Sequence, residues 1–192
     1  MLMAKRMYMQ GARPIPVYDD YDELVAYTSL TLSRVLLVDG PKAMFRRMIA
    51  TSLAEKLELI RVNPYEVVEN QTGRLSDKFS PDMSVDMKSG IYHTLDLISR
   101  LSLQNNQKIM LERSFLDLIF SGEDLGEEAK RWVADKLASI SAVAVVVLPP
   151  DLDLWDASNS NSEVYGPVVR YLNDLVFPTM LTHCFWCQPE EK

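Results

Sequence analysis

The run AVAVVVL, residues 142–148, constrains the fold more than any other part of the sequence. It is uninterrupted, apolar and rich in β-branched side chains, and Pro149 and Pro150 end it. Such a run is typical of a strand at the centre of a parallel sheet, where both faces are covered. The chain is therefore expected to be an α/β protein with helices on both sides of the sheet.

Shorter apolar runs alternate with helical patterns along the rest of the chain, and no segment repeats another. This order predicts a doubly wound parallel sheet of about five strands flanked by helices, with strands 35–38 and 142–148 central. The predicted strands are 35–38, 59–62, 108–111, 142–148 and 180–187, and the predicted helices are 19–32, 42–57, 81–103, 114–120, 123–140 and 164–176.

The first 17 residues depart from this pattern. They are rich in methionine and contain Pro14 and Pro16, which predicts an irregular arm that lies outside the core. Methionine suits an adaptable contact surface, so the arm is a candidate contact with another subunit, and its deletion is expected to leave the fold intact. We divide the chain into an N-terminal arm and helix, 1–33, and one α/β domain, 34–192.

Composition narrows the class of protein. The chain has 192 residues, enough for one well-buried domain, and a net charge of −7. A negative chain without a basic patch argues against general nucleic-acid binding. There is no apolar run of membrane-spanning length, and the N-terminus lacks the apolar core of a signal peptide. We expect a soluble, cytoplasmic protein with no membrane partner.

One strand, glycine turn and helix (RVLLVDGPKAMFRRMIAT) has the context of a phosphate-binding loop, G-x-x-x-x-G-K-[ST]. Counting from Gly40, Phe45 stands at the second glycine, Arg46 at the lysine and Arg47 at the hydroxyl residue. Phe would fill the space that a phosphate needs, and a guanidinium at the hydroxyl position repels Mg²⁺. The loop is therefore predicted to be a degenerate one.

What remains of the loop still favours an anion. The N–H groups at the start of the helix point toward it, and Lys42, Arg46 and Arg47 add positive charge, so these residues and Gly40 are candidate phosphate-binding residues. The alternative is a plain βα turn with a solvated basic first helical turn. The side chain of Phe45 falls on the apolar stripe of the helix, together with Met44, Met48, Ile49, Leu53 and Leu57.

A second motif, KIMLERSFLDLIFSG, contains Glu112, Arg113 and Ser114 after a predicted strand. It resembles the D/E-R-S segment of the thymidylate kinases and deoxynucleoside kinases. That resemblance implies a P-loop nucleotide kinase-like fold, with Glu112 near the metal and acceptor and Arg113 on a phosphate. If the protein is active, both are candidate catalytic residues, and Mg²⁺ and ATP are the implied cofactors. The alternative for Arg113 is a structural role, in which it caps a helix or pairs with a neighbouring Glu.

The resemblance also implies a nucleotide pocket and a cationic lid. Tyr92 lies in the predicted central helix, where it is a candidate for stacking on a nucleobase, although a solvated helix face explains it equally. The lid is where this chain departs from the family, because no Lys or Arg occurs between Lys136 and Arg170. Lid arginines stabilise the transferring phosphate, so a second phosphate-binding part is degraded.

Other residues carry weaker indications. His183, Cys184 and Cys187 could suggest a metal site, but four ligands are needed and His93 is the only other histidine. An acidic fourth ligand is the alternative; we predict a buried strand there and no metal site. Trp155 and Tyr165 flank a polar segment, predicted to be a loop, and could stack on a base; packing on the domain is the usual role of such aromatics.

Two functions follow. One is a noncatalytic relative of the deoxynucleotide kinases, without cofactors, that acts by binding a nucleotide or by assembly through the N-terminal arm with another copy or a different protein. The other is an active deoxynucleoside monophosphate kinase, in which Lys42 or Arg46 replaces the missing lysine and Glu112 holds Mg²⁺. The missing glycine, hydroxyl and lid cations favour the first.

Overall fold

The computed structural model describes most of the chain. Its described residues are 6–32, 34–62, 95–96, 98–100, 107–112 and 127–188.

A seven-stranded, mostly parallel sheet forms the centre of the protein. Its strands lie in the order β1-β2-β7-β6-β3-β5-β4; all neighbours are parallel except β1 and β2. The α/β class with a sheet flanked by helices is confirmed, and the five predicted strands are present as β3–β7. The strands are β1 Arg6–Gln10, β2 Arg13–Tyr18, β3 Val35–Asp39, β4 Ile60–Val62, β5 Ile109–Glu112, β6 Val143–Leu148 and β7 Leu181–Trp186.

The two strands predicted to be central, β3 and β6, are hydrogen-bonded to each other in the middle of the sheet. Every residue of both is buried. Their side chains alternate between two cores: Leu36 and Val145 face α1 and α2, whereas Leu37 and Val146 face the C-terminal helices. Because both faces are covered, the strands need apolar residues at every position.

The helices cover the two faces of the sheet. Helix α1 begins after Asp20, whose side chain accepts a hydrogen bond from the Glu23 N–H at 3.0 Å, so Asp20 is the N-cap of the helix. The predicted helix 164–176 is α-helical over Gly166–Tyr171 and π-helical over Leu172–Val176. The α-helices are α1 Tyr21–Thr31, α2 Ala43–Lys56, α3 Glu127–Ser139, α4 Ala157–Asn161, α5 Gly166–Tyr171 and α6 Phe177–Thr179.

The prediction of an irregular N-terminal arm is wrong for residues 6–17. They form the hairpin β1–β2, which joins the sheet beside β7, and Ile15 and Val17 are buried in the core. Residues two apart in a strand direct their N–H groups to the same side. The donors missing at Pro14 and Pro16 therefore fall on one edge of β2, and the other edge keeps its hydrogen bonds.

Other expectations need smaller corrections. The polar segment after β6, predicted to be a loop, contains the short helix α4. From the predicted helix 81–103, residues 95–96 and 98–100 are helical, and Leu95 and Ile98 are buried. The rest of that helix and the predicted helix 114–120 lie outside the described residues. Among the described helices, none has the length and apolar character needed to cross a membrane.

Candidate functional site

The carboxyl ends of the two central strands, β3 and β6, lie side by side in the sheet. The chain leaves β3 toward β4 on one side and leaves β6 toward β7 on the other. In open α/β sheets, ligands bind in the crevice where adjacent strands send their connections in opposite directions. The turn that begins at Gly40 and the turn that begins at Pro149 meet here, so this is the candidate site.

Gly40 is held against β6. A Cβ built on it would lie 2.5 Å from the carbonyl oxygen of Val147, which is closer than any side chain tolerates. The carboxylate of Asp39 accepts a hydrogen bond from the N–H of Gly40 at 2.8 Å and is itself buried. The glycine therefore serves the packing of the turn on the neighbouring strand, a role that the sequence did not reveal.

Lys42 does not point freely into the crevice. Its Nζ donates to both carboxylate oxygens of Asp151 at 2.8 Å, and the hydroxyl of Tyr165 donates to the same carboxylate at 2.7 Å. The hydrogen bond to Asp151 raises the pKa of Lys42. Burial acts to raise the pKa of Asp151, but the hydrogen bonds from Lys42 and Tyr165 hold it below its usual value.

The ion pair of Lys42 and Asp151 is accessible to solvent. The two side chains are 44% and 55% exposed, so water screens their attraction and the pair contributes at most about 1 kcal/mol. An incoming anion could therefore compete for Lys42. Asp151 follows directly after Pro149 and Pro150 at the end of β6, which is the signal in the sequence that could have identified it.

Arg46 turns inward. Its side chain is fully buried, and its Nη1 donates to the carbonyl oxygen of Gly40 at 3.0 Å. The guanidinium thus lies beneath the turn and stabilises its backbone, whereas Arg47 is exposed. The hydrogen bond that the structure shows for Arg46 is to the turn itself, and the phosphate-binding role of Arg46 stays a prediction.

Phe45 is partly buried and packs against the core beneath α2, as its place on the apolar stripe indicated. Ile49 and Leu53 of the same stripe are buried. Met44 and Met48, which also lie on the stripe, are 72% and 58% exposed. The sheet covers a narrower face of α2 than the apolar pattern suggests, so the edge of the stripe lies in solvent.

Glu112 is buried at the end of β5 and forms an ion pair with Arg61 of β4. Arg61 also donates to the hydroxyl of Thr51 in α2 at 3.2 Å. This pair lies on the β5–β4 side of β3, whereas Lys42 and Asp151 lie on the β6 side. Glu112 and Lys42 therefore have different partners, on opposite sides of β3, and Arg61 is a partner that the sequence did not suggest.

Asp39 and Tyr171 are two further buried residues, on the face of the sheet that the C-terminal helices cover. Burial raises the pKa of Tyr171 well above its ordinary value, and the negative charge of Asp39 raises it further. Neither residue was singled out from the sequence. Two residues that were, Arg113 and Tyr92, lie outside the described residues.

The aromatic residues near the polar segment pack on the protein. Tyr165 is buried and bonded to Asp151. Trp155 lies against the guanidinium of Arg6, with 5.5 Å from Cζ to the ring centroid, and meets Tyr8 edge to face. A base-stacking role for either aromatic would require these contacts to change.

His183 sits in a buried polar contact. Its Nδ1 is 3.3 Å from the Tyr18 hydroxyl and its Nε2 is 2.9 Å from the Thr31 hydroxyl, so a neutral ring with its proton on Nε2 satisfies both. Burial lowers the pKa of His183 to about 4. Cys184 and Cys187 are buried thiols. Within the described part of the chain, no three His, Cys, Asp or Glu side chains form a metal-binding group.

Comparison with known proteins adds no relative. No family model, curated protein or solved structure matches this chain.

Proposed function

We propose that the protein is a degenerate relative of the thymidylate and deoxynucleoside kinases that does not transfer phosphate and acts by binding or assembly. The proposal rests on one observation above others. Arg46, at the position of the loop lysine, is fully buried and donates to the carbonyl of Gly40. A guanidinium that stabilises the turn from beneath does not stabilise charge on a transferring phosphate above it.

The neighbouring groups support the same conclusion. Phe45 packs into the core side of α2 at the place of the second glycine. Glu112, the candidate for Mg²⁺, is buried in an ion pair with Arg61. Arg61 is 42% exposed, but the Glu112 carboxylate is buried. Releasing it from Arg61 would leave a buried charge without its partner, which is costly. Each group that the resemblance assigns to catalysis and that the structure describes is thus engaged in a contact within the protein.

Lys42 is also paired, but its ion pair with Asp151 is half exposed and weak. One lysine and the N–H groups of a helix N-terminus are enough to hold an anion loosely. They do not replace the loop hydroxyl and the lid cations, which together supply several kcal/mol to phosphoryl transfer. Weak nucleotide binding without turnover is the behaviour that these contacts favour.

The second candidate is an active deoxynucleoside monophosphate kinase that uses Mg²⁺ and ATP. The placement of the Gly40 turn favours it: the turn follows a central strand, precedes α2 and lies at the point where the strand order reverses. In this alternative, Lys42 leaves Asp151 when the nucleotide binds, and Glu112 and Arg113 take the roles that the resemblance implies.

Calorimetry with a panel of nucleoside mono- and triphosphates, with and without Mg²⁺, tests the proposal. We expect weak binding, with dissociation constants on the order of 0.1–1 mM, and little dependence on Mg²⁺. Asp151→Asn should tighten binding several-fold because it releases Lys42, whereas Asp22→Asn, which changes another exposed ion pair, should not. Micromolar binding of a triphosphate that requires Mg²⁺ would contradict the proposal.

A further inference from the structure

β1 is an edge strand in the part of the chain that the structure describes. All five of its residues pair with β2 in an unbroken register, so it has no bulge, and it contains no proline. Natural proteins usually protect such edges with bulges, prolines or several charges. β1 carries one charge, that of Arg6, and therefore presents an edge that can accept another strand.

β1 is held firmly from one face. The hydroxyl of Tyr8 donates to the side-chain oxygen of Asn173 at 3.2 Å, and the side-chain amide of Gln10 donates to the Asn173 carbonyl at 2.9 Å. The ring of Tyr8 also packs against Phe177. These contacts fix the strand on the C-terminal helices, so it needs little further ordering to pair with a partner.

Two tryptophans hold the start of β1. The guanidinium carbon of Arg6 lies 5.5 Å from the ring centroid of Trp155 and 5.2 Å from that of Trp186. A cation between two aromatic faces is already stabilised by their ring charge distribution. These contacts fix the position of the guanidinium at the start of the strand.

The opposite face of β1 is apolar and exposed. Met7 and Met9 alternate with Tyr8 and are 44% and 56% exposed. Their partners in β2 are Pro16 and Pro14. Two methionines and two prolines thus form an apolar strip beside the open edge. Methionine is flexible and polarisable, which suits it to contact surfaces.

We propose that a second copy of this chain occupies the edge, with the two β1 strands antiparallel and related by a two-fold axis at Tyr8. In this register Met7 of one copy lies opposite Met9 of the other, and Arg6 lies opposite the neutral Gln10. No like charges face each other, and the apolar residues meet apolar residues. The strand is thus complementary to itself, as a two-fold interface requires.

This dimer gives a specific form to the assembly part of the proposed function, and it involves none of the residues around Gly40. The interface is small, so we expect a dissociation constant of roughly 1–100 µM. A turnover assay therefore tests the proposed function, and a measurement of oligomeric state tests the dimer. Either result can contradict its own proposal without affecting the other.

Sedimentation equilibrium of the full chain from about 5 to 200 µM tests the dimer. We expect association of the wild type, at least tenfold weaker association of Met9→Lys, and no change in Met48→Lys, a similarly exposed methionine on α2. Circular dichroism should show that both variants are folded. A wild type that stays monomeric, or equal effects of the two variants, would overturn the proposal. So would a monomer that binds an acidic extended peptide at this edge.

Disulfide formation tests the register. Met7→Cys and Met9→Cys proteins should cross-link when they are mixed, because residues 7 and 9 are opposite, and much less when either is oxidised alone. The native Cys184 and Cys187 are buried and give little background. Equal cross-linking in the single-variant samples, or none in a sample that is dimeric, would overturn the pairing of β1 with β1.

Discussion

The turn after β3 and the hairpin β1–β2 differ in how far their side chains are engaged within the protein. At the turn, Arg46 donates to Gly40, and Lys42 donates to Asp151, so the groups that would receive a ligand already have partners within the chain. At the hairpin, one face is bonded to the protein, while the edge of β1 and its methionines face solvent. At the turn, Arg46 and Lys42 are thus held by contacts within the chain, whereas the hairpin has an exposed apolar strip beside the edge of β1.

The largest expected effect lies at the turn. Arg46→Ala should lower the free energy of unfolding by about 4 kcal/mol, because it removes a large buried side chain and a charged donor to the Gly40 carbonyl. Arg47→Ala, one residue further and exposed, should change it by less than about 0.5 kcal/mol. Urea unfolding measures both. Equal small effects would mean that Arg46 does not stabilise the turn and would reopen its role in phosphate binding.

Substitutions of Gly40 and Gly11 allow the turn and the hairpin to be compared directly. Gly40→Ala places a Cβ against the Val147 carbonyl and should cost about 3 kcal/mol. Gly11, the first residue of the hairpin turn, has a φ of 60° and no atom near its missing Cβ, so Gly11→Ala should cost about 1 kcal/mol through backbone strain alone. Chemical denaturation of the two variants shows which substitution lowers the free energy of unfolding more. A larger cost at Gly11 would contradict the tight packing assigned to the Gly40 turn.

A pH effect is expected where the hairpin joins the core. Burial lowers the pKa of His183 in the folded protein to about 4, from 6.5 when exposed. The unfolded chain therefore binds a proton that the folded protein does not, and stability falls as the pH drops from 6.5 toward 4. Between pH 7.5 and pH 5 this amounts to about 2 kcal/mol. Urea midpoints of wild type and His183→Gln, compared over this range, measure it; parallel pH profiles would contradict it.

The sequence predicted the elements better than their contacts. Uninterrupted apolar runs identified β3 and β6 because a strand buried on both faces has no polar positions. The hairpin was missed because two prolines suggested an irregular segment, although they fall on one side of β2. The pairing of Glu112 with Arg61 depends on β4 lying next to β5, and the burial of Arg46 depends on how the turn packs. Neither depends on local pattern, so neither could be predicted.

The most direct test of the account is a turnover assay with Mg²⁺ and ATP or deoxynucleoside triphosphates as donors, across the four deoxynucleoside monophosphates, run beside Arg113→Ala. The account predicts no measurable phosphoryl transfer by either protein. In an active kinase, Arg113→Ala would remove a phosphate contact and cost on the order of 3 kcal/mol, roughly a hundredfold in rate. Turnover by the wild type that disappears in Arg113→Ala would contradict the account.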